Sequence, residues 1–165
     1  MTFTTDRISN PVISSLEPIP AAMAAFKRLS TDDKLGVLWF IYDGMGGWVT
    51  PAATGAARLQ FAEGLLEQVK ALSASDQLTF MRDLVVQKNT PMTRAYGVLT
   101  NNTKLAFWYQ LAELMQAGTV VGVPEYYRLS SAAAEVYQSI VALEFGQQIT
   151  VLRKVAVNMG YDPFA

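Results

Sequence analysis

Leu35-Gly36-Val37-Leu38-Trp39-Phe40-Ile41-Tyr42 is the stretch that decides the fold, and Leu105-Ala106-Phe107-Trp108-Tyr109-Gln110-Leu111 is its counterpart 70 residues later. Each follows a lysine (Lys34, Lys104) and each runs on to a methionine (Met45, Met115). In the first, Leu35, Leu38, Trp39 and Tyr42 recur at i, i+3, i+4 and i+7, one continuous helix face. Val37, Phe40 and Ile41 cover the remaining sides, so this helix is apolar nearly all round and belongs in an interior. Two such segments in near register read as two related helical halves, with chance as the alternative. Trp and Tyr also carry N–H and O–H groups that need partners when buried. Leu or Phe would fill a dry core without that demand. The surplus of flat rings at Trp39, Tyr42, Trp108 and Tyr109 therefore points to a slot for a long apolar ligand. The competing reading is an ordinary aromatic core. Met81 and Met115, unbranched and polarisable, fit either reading.

Composition narrows the function. The chain has 165 residues, enough for one domain with a real core. Apolar residues make up 51% and charged ones only 16%, and the formal net charge is −1. The basic footprint of a nucleic-acid binder is missing. Cysteine and histidine are both absent. That removes thiolate chemistry, the commonest general base and the usual zinc and haem ligands. The carboxylate pairs Asp32/Asp33 and Glu63/Glu67 read as a helix cap and an exposed helix face. Glu113/Glu125 forms no recognisable catalytic pair. Gly44-Met45-Gly46-Gly47 closes a helix rather than opening one, which makes it a poor phosphate cradle. No catalytic motif remains, and the expectation is a protein that is not an enzyme. Neither a signal peptide nor an apolar run of membrane-spanning length is present, so a soluble cytoplasmic protein without membrane insertion is expected.

Along the chain the pattern is helical almost throughout. Residues 1–19 read as an arm broken by Pro11, Pro18 and Pro20, and residues 20–165 as a single all-helical domain. A first helix is expected from Pro20. A second opens behind Ser30-Thr31-Asp32-Asp33 and stops near Gly46-Gly47. A third begins at Thr50-Pro51 and reaches Leu72. Ser73-Ala74-Ser75-Asp76 resembles a capping box with Asp for Glu. Thr90-Pro91 opens a short helix to about Leu99. Asn101 or Asn102 caps the second aromatic helix, which ends at Gly118. The apolar link 119–128 packs on the core. Ser130 caps a helix to about Leu143, and a last one spans Gln147–Met159. Arg153 lies in the apolar run Ile149–Val157 and either snorkels to solvent or marks a partner surface.

Several stretches together are similar to one family. Ala25-Phe26-Lys27-Arg28-Leu29-Ser30, Leu38-Trp39-Phe40-Ile41-Tyr42, Gln60-Phe61-Ala62-Glu63, Lys104-Leu105-Ala106-Phe107-Trp108-Tyr109, Ile149-Thr150-Val151-Leu152-Arg153 and Met159-Gly160-Tyr161-Asp162 run through essentially the whole chain in order. The chain resembles the helical carotenoid proteins of cyanobacteria, stand-alone homologues of the N-terminal domain of the orange carotenoid protein. The resemblance implies an all-α fold of two interleaved four-helix bundles around a keto-carotenoid such as canthaxanthin or echinenone. It implies that Trp39, Tyr42, Trp108 and Tyr109 surround one end of the pigment, with Leu38 also among the carotenoid-binding residues. Leu35, Met81, Leu105, Met115, Val123, Tyr127, Ile149, Thr150 and Arg153 then line the rest. It further implies photoprotection by quenching singlet oxygen, without a light-driven switch of its own. The alternative it leaves is a carrier loaded by a separate homologue of the C-terminal domain. An antenna (phycobilisome) contact would map to Val49, Thr54, Gly55, Asn102, Arg153 and Lys154, at the thylakoid surface. Thr54 replaces a proline and Leu99 a tryptophan of the full-length family. The replaced tryptophan stands beside the channel; the two departures bear on phycobilisome binding and leave carotenoid binding largely untouched.

Overall fold

Helix starts leave backbone donors without partners, and a Ser or Thr hydroxyl takes one of them at five of the described helices. The structure is a computed structural model that describes residues 18–45 and 59–165. Among these residues eight helices form: α1 Pro18–Lys27, α2 Thr31–Met45, α3 Leu59–Lys70, α4 Ala74–Val86, α5 Pro91–Gly97, α6 Asn101–Gln116, α7 Ser131–Val141 and α8 Phe145–Val157. No strand occurs among them, the Thr119–Val123 run included. The expected arm up to residue 17, the Gly46-Gly47 stop and the Thr50-Pro51 start lie outside the described residues.

The caps follow the sequence with three corrections. Ser73 and Ser130 accept the backbone N–H groups of Asp76 and Ala133, as their spacing predicts. Thr90 and Thr93 form a reciprocal capping box in front of the short α5. The cap of α6 is Thr100, not Asn101 or Asn102; its hydroxyl accepts from the Thr103 N–H. The helix α8 opens earlier than expected because the Gln147 side chain accepts the Glu144 N–H at 3.1 Å, drawing Gly146 into the first turn. The helix α1 opens at Pro18 rather than Pro20, and a first-turn proline has no intrahelical N–H to lose.

Helices of this length are marginal in isolation and are held by packing. They sort into two clusters of four. The helices α1, α2, α7 and α8 pack together, as do α3, α4, α5 and α6. The second cluster is therefore inserted within the first, which matches the interleaved architecture expected. The clusters meet where α6 packs on α8 and where α2 reaches α4 and α6. Val37, Ile41, Val69, Leu84, Phe107, Leu111, Ile140 and Val151 are fully buried. After α8 the chain straps the clusters together. The Gly160 N–H donates to the Leu84 carbonyl at 2.8 Å and the Tyr161 N–H to the Thr93 carbonyl at 3.1 Å. Gly160 has φ +76°, and a Cβ there would lie 2.4 Å from Tyr96 Cδ1, so glycine is needed twice over.

Candidate functional site

The two aromatic helices, placed in different clusters, face each other across a gap. Between α2 and α6 lies an apolar furrow of about 330 Å³. One wall is Leu35, Leu38, Trp39, Tyr42 and Met45 of α2, and the other is Leu105, Trp108, Tyr109, Ala112 and Met115 of α6. Leu78 and Met81 of α4 and Leu152, Val155, Ala156 and Met159 around the end of α8 complete it. The link after α6 closes one end with Val121, Val123, Pro124 and Tyr127. Asp32 and Arg82 are the charged residues on the lining. Asp32 and Tyr42 are separated by ten residues of helix, about 15 Å of axial rise, so the furrow is elongated.

Its two ends differ chemically. At the aromatic end Trp39 and Tyr42 are tilted with ring centres 5.7 Å apart, and Tyr42 meets Tyr109 edge-on at 5.6 Å. The Tyr42 hydroxyl donates to Gln116 Oε1 at 3.4 Å. Partial burial, followed by the nearby Glu113 carboxylate, raises the pKa of both Tyr42 and Tyr109. Trp108 is tied into the core. Its Nε1 donates at 3.0 Å to the buried Tyr96 hydroxyl, which donates in turn to the Ala156 carbonyl. Burial raises the Tyr96 pKa, so the phenol stays a neutral relay.

The other end is polar. The Tyr127 hydroxyl donates to Asp33 Oδ1 at 3.0 Å, and the Ser130 hydroxyl to Asp33 Oδ2 at 2.6 Å. The Ser130 bond is the main reason the Asp33 pKa is lowered. Burial, with the Asp33 bond second, pushes Tyr127 up to about 12. Beside them Arg82 forks onto Asp32, Nε to Oδ1 at 2.9 Å and Nη2 to Oδ2 at 3.0 Å. Tyr127 can sit here because position 36 is glycine; a Cβ on Gly36 would come within 2.8 Å of Tyr127 Cε1.

Of the pigment-lining residues expected from the sequence, Leu35, Leu38, Trp39, Tyr42, Met81, Leu105, Trp108, Tyr109, Met115, Val123 and Tyr127 meet in this furrow. Ile149, Thr150 and Arg153 do not. The α8 face that turns inward is Leu152, Val155 and Ala156, spaced i, i+3 and i+4, with Met159 just past the helix end, and Ile149 packs on the core instead. Thr150 and Arg153 line a second groove with Lys27, Asn101 and Lys154. There Arg153 Nε is buried with no hydrogen-bond partner among the described residues. Asn102 is half-buried in the first turn of α6, near that groove's Asn101. Val49, Thr54 and Gly55 lie outside the described residues.

Sequence reasoning missed Gln77. It is buried; its Nε2 donates to the Val69 and Leu72 carbonyls and its Oε1 accepts the Val121 N–H at 2.8 Å. This one side chain anchors the link that closes the furrow. A lone Gln in an amphipathic pattern gives no warning of that. The inward residues Leu152, Val155 and Ala156 lay within the Ile149–Val157 apolar run, which by itself did not say which of its faces turns to a cavity.

Comparison with known proteins converges on one group. The family described as orange carotenoid protein, N-terminal, matches residues 13–162. An orange carotenoid-binding domain-containing protein of Nostoc sp. PCC 7120 is 52% identical, with 100% of this chain and 99% of that protein covered. Among solved structures, the orange carotenoid protein of Anabaena (Nostoc) sp. PCC 7120 binding canthaxanthin superposes with a TM-score of 0.82 at 44% identity, over 89% of this chain and 48% of that one. This chain thus spans about half of that protein. The red carotenoid protein of the same organism, also binding canthaxanthin, gives a TM-score of 0.76 at 39% identity, over 87% of this chain and 99% of its own.

Proposed function

The chain belongs to the family of the orange carotenoid protein N-terminal domain, and on that premise we propose that it holds a keto-carotenoid, such as canthaxanthin or echinenone, in the α2–α6 furrow and serves photoprotection. The observation that carries this reading is the furrow itself: elongated, apolar, and walled by flat rings from both clusters. Residues of this chemistry fit a conjugated polyene, because rings and methionines gain dispersion energy against a flat, polarisable ligand without asking it for hydrogen bonds. What the pigment supplies when bound is a low-lying triplet state that takes energy from singlet oxygen and loses it as heat. The protein's contribution is binding, orientation and exclusion of water.

Two finer readings belong here. Trp39, Tyr42 and Tyr109 are only half-buried, so the aromatic end opens to solvent. That opening favours a second role, exchange of pigment with a C-terminal-domain homologue. Contact with the phycobilisome, and with it a location at the thylakoid surface, would draw on Arg153, Lys154 and Asn102 around the second groove, and on Val49, Thr54 and Gly55. The test is the visible spectrum and extracted pigment of protein made in carotenoid-producing cells. A structured visible band with bound keto-carotenoid is expected, and colourless protein would overturn the proposal. Fluorescence of isolated phycobilisomes, with and without the coloured protein, decides the antenna role.

A further inference from the structure

A charge at the mouth of an apolar furrow keeps its head in water unless the ligand brings a polar group to it. Arg82 is such a charge. Its side chain stands on the furrow at the Asp32 end of α2, opposite the aromatic end. Asp32 engages one N–H of Nε and one of Nη2. A guanidinium carries five N–H donors, so the remaining ones have no partner among the described residues. The bidentate fork fixes the guanidinium plane, which makes those donors directional. Asp32 also cancels the local charge, which disfavours an anionic end group. What fits is a neutral acceptor at the tip of an apolar rod.

We propose that Arg82, held by Asp32, is a specificity-determining residue that donates a hydrogen bond to a ring carbonyl of the bound carotenoid. This rests on the pigment-binding reading and adds which ring chemistry the polar end selects. The aromatic end meets the polyene by stacking and is indifferent to oxygen. The Arg82 end discriminates, because a hydrocarbon ring there would strip water from the guanidinium and return nothing.

The test is a competition. Apo-protein is given an equal mixture of canthaxanthin, zeaxanthin and β-carotene, which share one carbon skeleton and carry ring carbonyls, ring hydroxyls or neither. Bound pigment is then extracted and quantified. The native protein should be enriched in canthaxanthin over β-carotene by roughly tenfold, the scale of one hydrogen bond from a charged donor. Arg82→Met keeps the aliphatic stem and should bring that ratio close to the mixture's own. Arg82→Lys should keep part of the preference. Arg82 and Asp32 are about half exposed, so these variants should fold, which the unfolding midpoint of the apo-protein checks. An unchanged ratio in Arg82→Met overturns the proposal, and so does equal uptake of zeaxanthin and canthaxanthin by the native protein. Failure of the native protein to take up any of the three overturns pigment binding itself, a distinct outcome.

Discussion

The two aromatic helices look alike in sequence and are held very differently. In α6, Trp108 is hydrogen-bonded through Tyr96 to the backbone of α8, and Phe107 beside it is fully buried against Phe80 and Tyr96. In α2, Trp39 has no hydrogen-bond partner among the described residues and leans on Tyr42 at the open end. The polar ties of the α2 wall lie at its other end, Asp33 to Tyr127 and Asp32 to Arg82. Both helices bury side chains in the core, but the α6 tryptophan is tied to α8 through Tyr96 while the α2 tryptophan is tied by no hydrogen bond among the described residues. A hydrogen-bonded ring keeps its orientation, and an untied ring is free to adjust to what lies beside it.

Substitutions on the two walls can break or sharpen this contrast. The largest effect is expected from Trp108→Ala, which opens a cavity and leaves the Tyr96 hydroxyl one donor short. It should lower apo-protein stability by about 3 kcal/mol in denaturant unfolding. Gly36→Ala comes next. Its Cβ forces Tyr127 off Asp33, and overpacking of this kind should cost about 1–2 kcal/mol despite alanine's better helix propensity. Trp39→Ala should cost the apo-protein only about 1 kcal/mol, because its ring leaves no hydrogen-bond partner stranded and, unlike Trp108, is not packed on the core cluster, yet it should reduce pigment occupancy more than it reduces stability. Equal losses for Trp39→Ala and Trp108→Ala in the apo-protein would erase the distinction.

The smallest effect is in pH. The Asp33 pKa is lowered in the fold, so its contribution is present above the unfolded value of roughly 4 and lost as pH falls through the folded one. The Tyr127 pKa is raised, so its contribution is full below the unfolded value of roughly 10 and lost as pH rises through about 12. The advantage of the native protein over Tyr127→Phe, read as a difference in melting temperature, should therefore be greatest between these limits and shrink at both extremes.

Much of this was legible in the residues. The i, i+3, i+4, i+7 face of Leu35, Leu38, Trp39 and Tyr42 names one wall of the furrow, since helical periodicity is a local property that tertiary contacts did not overrule. The aromatic excess pointed to a slot, because rings with polar edges are a costly way to fill a dry core, and those rings do meet along an apolar furrow. Lack of histidine and cysteine narrowed the chemistry before any fold was known. Local capping was partly misread at α6 and α8, where Thr100 and the Glu144–Gln147 pair outcompeted the neighbouring Asn and Gly residues that sequence rules favoured.

Sequence alone determined helices, their apolar faces and the presence of surplus rings, because each depends on neighbours within a few turns. Only the tertiary structure decided that the clusters interleave, that α8 presents Leu152, Val155 and Ala156 inward and Arg153 away, that Gln77 fastens a link 44 residues distant, and that Arg82 stands at the furrow's polar end. Those facts depend on which long-range surfaces meet, and the relative rotation of packed helices is set by the sum of many weak contacts that no single residue announces.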